Sequence, residues 1–348
     1  LHLSLRRQRQ MCIRDRAYPL EVTVKKYFHK NRLMHKEEDI TIDNICKIEG
    51  HASINIKVRN GEVVDTHLRI MENKRFYTEA AKGRGFMNVH QLVSRICGTC
   101  STAHLMGCIE AMEKALGIKN DEQTMALKHL TMNALMIRDH SLHLFFFVLP
   151  DVLGVDSILD VKDSELLHNG LHVKELGAHM SKVIAGRAIH PTFPTIGGFT
   201  RIPQKRDVKD LLKRLREERD KVLQFIDLFA EWNKEWLLDS KFVATYSGTF
   251  NFLEGDIMDS KGDILRDPEF TRHLKKVVIP YSQARGFSYK GKMYMVGALA
   301  RMNLGKDTLL PETKKDVGKA LSIFPSKNLF HNNLAQAIEI LHSMDHSI

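Results

Sequence analysis

Cys97 and Cys100 stand two residues apart in the run Arg95-Ile96-Cys97-Gly98-Thr99-Cys100-Ser101-Thr102-Ala103-His104, in a chain with only five cysteines. Leu105, Ile109, Met112 and Leu116 then recur at helical spacing, and Gly117 closes the pattern. Ser101 or Thr102 can serve as N-cap. The pair therefore reads as a tight turn at a helix N-terminus, where backbone N–H groups and the positive end of the dipole favour thiolate. Arg95 adds positive charge to the same stretch. Thiolates bind soft metals or do redox chemistry. Spacing alone leaves three readings open. Half of a structural zinc site would need two more ligands, and no second close Cys pair exists. A thioredoxin-like pair would need a preceding buried strand, and 87–94 does not read as one. Two ordinary buried cysteines are the third.

The elements that must position this turn follow from periodicity. In 40–70, Ala52, Ile54, Ile56 and Val58 alternate with polar residues, and Asn60-Gly61 signals a hairpin. Residues 71–94 read as one or two short helices. Residues 122–149 read as a long helix, with Leu127, Leu130, Ala134, Ile137, Ser141 and Leu144 on helical spacing and His140 and His143 sharing a face. Residues 165–185 read as a helix, followed by a loop dense in Gly and Pro up to Phe199. Residues 207–238 read as one charged amphipathic helix with Leu211, Leu212, Leu215, Val222, Phe225, Ile226 and Phe229 inward. Residues 241–300 read as mixed and strand-rich, with a turn at Tyr289-Lys290-Gly291-Lys292. Residues 311–322 and 328–346 read as helices, the last through Leu334, Ala337, Ile338 and Leu341.

Composition narrows the class. Hydrophobic residues make up 43% and charged residues 27%, as in a globular protein. An odd cysteine count without framework spacing argues against a secreted disulfide scaffold and favours a reducing cytoplasm. The longest apolar run, 144–150, is too short to span a bilayer. The net charge is +10, but residues 1–16 hold five Arg and one Asp, which leaves +6 for the rest. Elsewhere acids and bases interleave, as on a solvated helix face, and no nucleic-acid motif accompanies them. Residues 1–16 lack apolar periodicity and read as a disordered or artefactual extension. The remainder, 17–348, reads as a single domain.

The full string Arg-x-Cys-Gly-x-Cys-x-x-x-His resembles the N-terminal metal motif of nickel–iron hydrogenase large subunits at every fixed position. The resemblance implies that Cys97 is a terminal nickel ligand, that Cys100 bridges nickel and iron, and that His104 hydrogen-bonds the bridging sulfur. Lys47-Ile48-Glu49-Gly50-His51 resembles the family's Arg-Ile-Glu-Gly-His box, which makes Glu49 the proton relay beside the nickel-bound cysteine. The segments Arg138 to Leu144 and Leu149-Pro150-Asp151 resemble a central helix near the active site, where the histidines are not ligands. Gly186-Arg187-Ala188-Ile189-His190-Pro191 and Gly197-Gly198 resemble a loop against the active-site helices. Arg75 to Glu79 and Lys82-Gly83-Arg84 resemble a segment that helps to bind magnesium. The register is one residue off, with Thr78 in the Glu position and Glu79 after it, so magnesium remains an open cofactor.

The resemblance implies a mainly α fold with long central helices and small β elements. It also implies reversible H2 oxidation at a nickel–iron centre with diatomic ligands on the iron. Electrons would leave through an iron–sulfur small subunit. Gly186 to Phe199, Met295-Val296-Gly297-Ala298 and Asn333 to Ala337 point to cytoplasmic NAD(P)-linked or sulfhydrogenase-type enzymes, whose diaphorase partners carry iron–sulfur clusters and flavin. No dinucleotide-binding Gly-x-Gly-x-x-Gly occurs in this chain. The family's second Cys-x-x-Cys pair and its Pro-Arg-Gly segment are missing, and no cysteine follows Cys108. The expectation is therefore a C-terminally truncated chain, inactive as written because two thiolates cannot complete a four-thiolate site. A non-catalytic scaffold related to a respiratory complex I component, or an inactive fragment, is the alternative.

Overall fold

A computed structural model describes residues 37–45, 48, 50–72 and 75–348. The described residues fall into two compact units, one up to Glu72 and one from residue 75 onward. The extension 1–16, Lys47 and Glu49 lie outside the described residues.

The first unit holds a three-stranded antiparallel sheet of β1 (Glu37–Ile42), β2 (Ala52–Arg59) and β3 (Glu62–Ile70) in sequential order. The Asn60-Gly61 signal works as expected. Both residues adopt positive φ, 54° and 81°, which matches the right-handed twist of the strands they join.

The second unit is helical, with small sheets beside the helices. Its helices are α1 (Arg75–Ala81), α2 (Phe86–Val93), α3 (Ser101–Leu116), α4 (Glu122–Ser141), α5 (Leu149–Leu153), α6 (Ser164–Ala185), α7 (Lys205–Glu218), α8 (Leu223–Ala230), α9 (Phe270–His273), α10 (Ala298–Gly305), α11 (Pro311–Leu321) and α12 (His331–Ser347). The two-residue strands β4 (Pro194–Thr195) and β5 (Gly198–Phe199) form a tight hairpin. A four-stranded sheet orders β11 (Tyr294–Met295), β6 (Lys241–Tyr246), β7 (Asp256–Asp259) and β8 (Ile264–Leu265), with β9 (Leu274–Val277) and β10 (Gly286–Tyr289) as a separate ribbon. No helix among the described residues is long and apolar enough to cross a membrane.

The core is built around α4, α6 and α12. Leu334, Ala335, Ala337, Ile338, Ile340, Leu341 and Met344 of α12 are all buried, so this helix is enclosed on every side rather than on one stripe. Two of its polar groups pair with α4 and with the segment that directly continues it. His140 Nε2 meets Glu339 Oε2 at 2.8 Å, and His143 Nδ1 meets Gln336 Oε1 at 2.7 Å. These bonds fix the register of the two helices, because a slide of one turn would strand buried polar groups. The histidines at i, i+3 are structural, as the resemblance implied.

Three local expectations change. The long helix does not run evenly to Leu149: after Ser141 the chain continues as a π-helical segment, Leu142–Val148, before α5. The single helix over 207–238 is two, joined by a 3-10 turn at Arg219–Val222, and ends at Ala230. At that turn the Arg219 guanidinium contacts Asp345 (2.5 Å) and Asp316 (2.6 Å), so a charged residue on the expected solvent face is anchored to α12 and α11. The buried face of α3 is Leu105, Met106, Ile109 and Glu113, whereas Leu116 is exposed.

Candidate metal centre

The turn that carries the two cysteines is fixed from both sides. Ahead of it, α2 runs into a 3-10 turn, Ser94–Ile96, and the Tyr77 hydroxyl donates to the Arg95 carbonyl at 2.7 Å. Behind it, α3 begins with Cys100 as N-cap. The expected caps Ser101 and Thr102 lie inside the helix and are buried. Ser101 Oγ instead accepts the His190 backbone N–H at 2.9 Å. Helix capping was therefore the wrong task for Ser101: its hydroxyl ties α3 to the 186–199 loop.

Within the turn the Cys100 N–H approaches Cys97 Sγ at 3.3 Å. The two sulfurs come together, and the structure joins them as a disulfide with Cα atoms 5.6 Å apart. Two reduced sulfurs in this arrangement can grip one metal from one turn. His104 enters α3 in its first turn, its N–H bonded to the Cys100 carbonyl at 3.3 Å. The i, i+4 spacing places the two residues on one helical face. Glu49, the expected proton relay, lies outside the described residues. Among the described residues no group of three or more His, Cys, Asp or Glu side chains is placed to hold a metal. The pair is thus a two-donor site. Glu79, near the magnesium-like segment, is exposed and paired with Lys82 at 2.8 Å.

The cation at this turn is not the one the sequence suggested. Arg95 is exposed. Arg138 of α4 is 6% exposed, and its Nη2 donates to the Thr99 carbonyl between the two cysteines. Its Nη1 is buried without a hydrogen-bond partner among the described residues. Burial pushes the guanidinium below its ordinary value, although it remains charged at any working pH. Soft thiolate donors beside a buried cation with an unused N–H suit an anionic, thiolate-held metal group, so the residues present fit half of such a site.

Two further groups bind this turn to its surroundings: His190, which lies in the loop the resemblance placed here, and Glu113, which no motif marked. His190 follows Ile189 with a positive φ of 54°, and its Nδ1 bonds the Ser94 carbonyl at 3.0 Å. Burial first, then the charge of Arg95, holds its imidazole below the usual range. Glu113 of α3 is buried and accepts from Lys128 Nζ, from the Gly197 N–H at 2.9 Å and from Asn120 Nδ2 at 2.8 Å. It locks α3 to α4 and to the β4–β5 hairpin. The Gly/Pro-dense loop thus lies against the cysteine helix at both ends, through Ser101 and Glu113.

The fold and this turn define the large subunit of a nickel-dependent hydrogenase, and the chain belongs to that family. The family described as nickel-dependent hydrogenase matches residues 77–169, and one described as HoxL-like matches 39–73. The chain is 30% identical over 308 residues to the alpha subunit of sulfhydrogenase 2 from Pyrococcus furiosus, a match that covers 88% of this chain and 73% of that relative. It is 26% identical over 337 residues to a component of the vhu F420-non-reducing hydrogenase from Methanocaldococcus jannaschii, covering 88% and 80%. In fold it is similar to an NAD+-reducing [NiFe]-hydrogenase in the H2-reduced state, with a TM-score of 0.80 at 22% identity over 89% of this chain and 76% of that one.

Proposed function

We propose that this chain is the catalytic large subunit of a nickel–iron hydrogenase and carries out H2 ⇌ 2H+ + 2e−. The observation that carries the reading is the meeting of Cys97 and Cys100 sulfurs at the start of α3, within a complete Arg-x-Cys-Gly-x-Cys-x-x-x-His string. Cys97 and Cys100 would hold the nickel–iron group through their two sulfurs. When bound, the nickel–iron group supplies the site at which H2 is split. His104 stands one turn along α3 from Cys100, suited to donate to its sulfur and hold its lone pairs in place. Glu49 is the group proposed to accept and release the proton, a task a carboxylate performs near its own pKa.

Electrons need a carrier, and no group of three or more metal-binding side chains stands among the described residues. We infer that the direct partner is an iron–sulfur small subunit, with diaphorase subunits carrying flavin as a further link to NAD(P). The alpha-subunit name of the sulfhydrogenase relative and the NAD+-reducing activity of the structural neighbour support this assembly. The reducing compartment that the cysteine usage favours makes the cytoplasm the proposed location.

The test uses the protein co-produced with its partner subunits under reducing, nickel-replete conditions. Nickel and iron are measured by mass spectrometry, and H2-dependent dye reduction is measured beside them. Near-stoichiometric nickel that disappears in Cys97→Ser and Cys100→Ser, together with the activity, is the expected outcome. A folded, metal-free protein without H2 activity would replace this reading with the non-catalytic scaffold.

A further inference from the structure

Arg138 is a buried cation that makes no salt bridge among the described residues, and the one acid that acts on it, the neighbouring Asp139, does so through space. Three other buried or half-buried cations of the second unit find acids: Lys128 pairs with Glu113, Arg301 with Glu339 through two nitrogens, and Arg219 with Asp345 and Asp316. Arg138 uses Nη2 on one backbone carbonyl and leaves Nη1 without a partner. Removing a charge from water costs several kcal/mol unless a partner compensates it. The fold nevertheless holds it there. Gly177 of α6 packs so closely on α4 that an added Cβ would lie 2.5 Å from the Arg138 backbone nitrogen. Close helix–helix contact therefore fixes the Arg138 backbone, and its side chain reaches the carbonyl between the two cysteines.

We propose that Arg138 is a positioning residue with two tasks: its Nη2 holds the Cys97–Cys100 turn through Thr99, and its second nitrogen compensates the negative charge of the thiolate-held centre. This rests on the hydrogenase reading. Two thiolates and their metal ligands bring an anionic group to this turn, and a guanidinium N–H is a strong, directional donor to it. In the metal-free chain Arg138 is a cost, and in the loaded protein it is compensated. A simple structural clamp would act alike in both states.

The two roles separate in Arg138→Met and Arg138→Lys, compared with wild type in the assembled protein. The readouts are nickel and iron content, the infrared bands of the diatomic ligands, and the melting midpoint of the metal-free form. Arg138→Met should lower nickel retention by about 10- to 100-fold, the range for a supporting residue around a metal. Its metal-free form should melt at or above the wild-type midpoint. Arg138→Lys should restore part of the retention, with shifted infrared bands. Unchanged retention and bands in Arg138→Met would overturn the inference and leave the hydrogenase reading standing. So would a metal-free Arg138→Met that melts several degrees lower, because that marks a clamp of the fold. A folded wild type that takes up no nickel would overturn both.

Discussion

Arg138 and Arg301 are two guanidiniums in the same helical unit with opposite surroundings. Arg301 forks onto Glu339 at 2.6 and 2.8 Å, and Glu339 also takes His140 at 2.8 Å. Every charge in that network has its complement within the chain. Arg138 has a single carbonyl and an unused nitrogen. The closed network ties α10, α4 and α12 into one register, which is a task of stability. The open one stands at the only turn that brings two soft ligands together among the described residues. Incomplete compensation inside a well-packed protein thus marks the place where something from outside the chain is expected.

Breaking the closed network should have the largest effect on stability. Glu339→Gln leaves Arg301 and His140 facing a neutral amide, and loss of one partner of a buried pair costs about 3–5 kcal/mol. Urea unfolding measures it, and a loss below about 1 kcal/mol would remove the contrast with Arg138. The pH dependence follows the same logic. Burial alone would raise the Glu339 carboxyl, but Arg301 and His140 outweigh it and hold the pKa at about 2, against an ordinary 4.5. The stabilisation is therefore fully present above pH 4.5 and is lost as pH falls through 2. Acid unfolding of Glu339→Gln should lack that component.

Gly177→Ala sharpens the open side. The new methyl would push α6 off α4 at Arg138, an overpacking cost of about 1–3 kcal/mol. Thermal unfolding reads the cost, and nickel retention in the assembled protein should fall as the Arg138–Thr99 contact is displaced. Loss of stability with unchanged retention would uncouple the helix contact from the cysteine turn.

The smallest effect concerns Glu110, a half-buried carboxyl of α3 that shifts the other way. Burial raises it to about 7, with Lys114 and Lys128 opposing. A raised carboxyl favours the folded state while protonated, so stability declines as pH rises from 4.5 through 7. Glu110→Gln should match wild type near pH 4 and exceed it at pH 8 by about 1 kcal/mol after solvent screening. Equal stability at both pH values would mean that Glu110 is as free to ionise as a surface residue.

Much of the fold was legible because its signals are local. The Asn60-Gly61 hairpin needs only two residues that tolerate positive φ. The helices over 75–93, 164–185, 311–321 and 331–347 follow apolar spacing, and the Cys97–Cys100 turn follows from a three-residue separation before a helix. The errors share a cause. The split of 207–238 is marked by Arg219 reaching acids on α11 and α12, and Ser101 was lost as a cap because it bonds His190, a distant loop residue. The π-helical segment after Ser141 leaves no mark in a 3.6-residue pattern.

What the sequence by itself determined is the chemistry available: two thiolates at chelating distance, a histidine one turn on, and a family-specific string around them. What only tertiary structure decided is the electrostatics of that chemistry. Arg95 is adjacent in sequence and exposed, whereas Arg138 is distant in sequence, buried and bonded between the cysteines. The physical reason is that a charge acts through distance and local dielectric, and both are set by packing of α4 against α6 and the cysteine turn rather than by order along the chain.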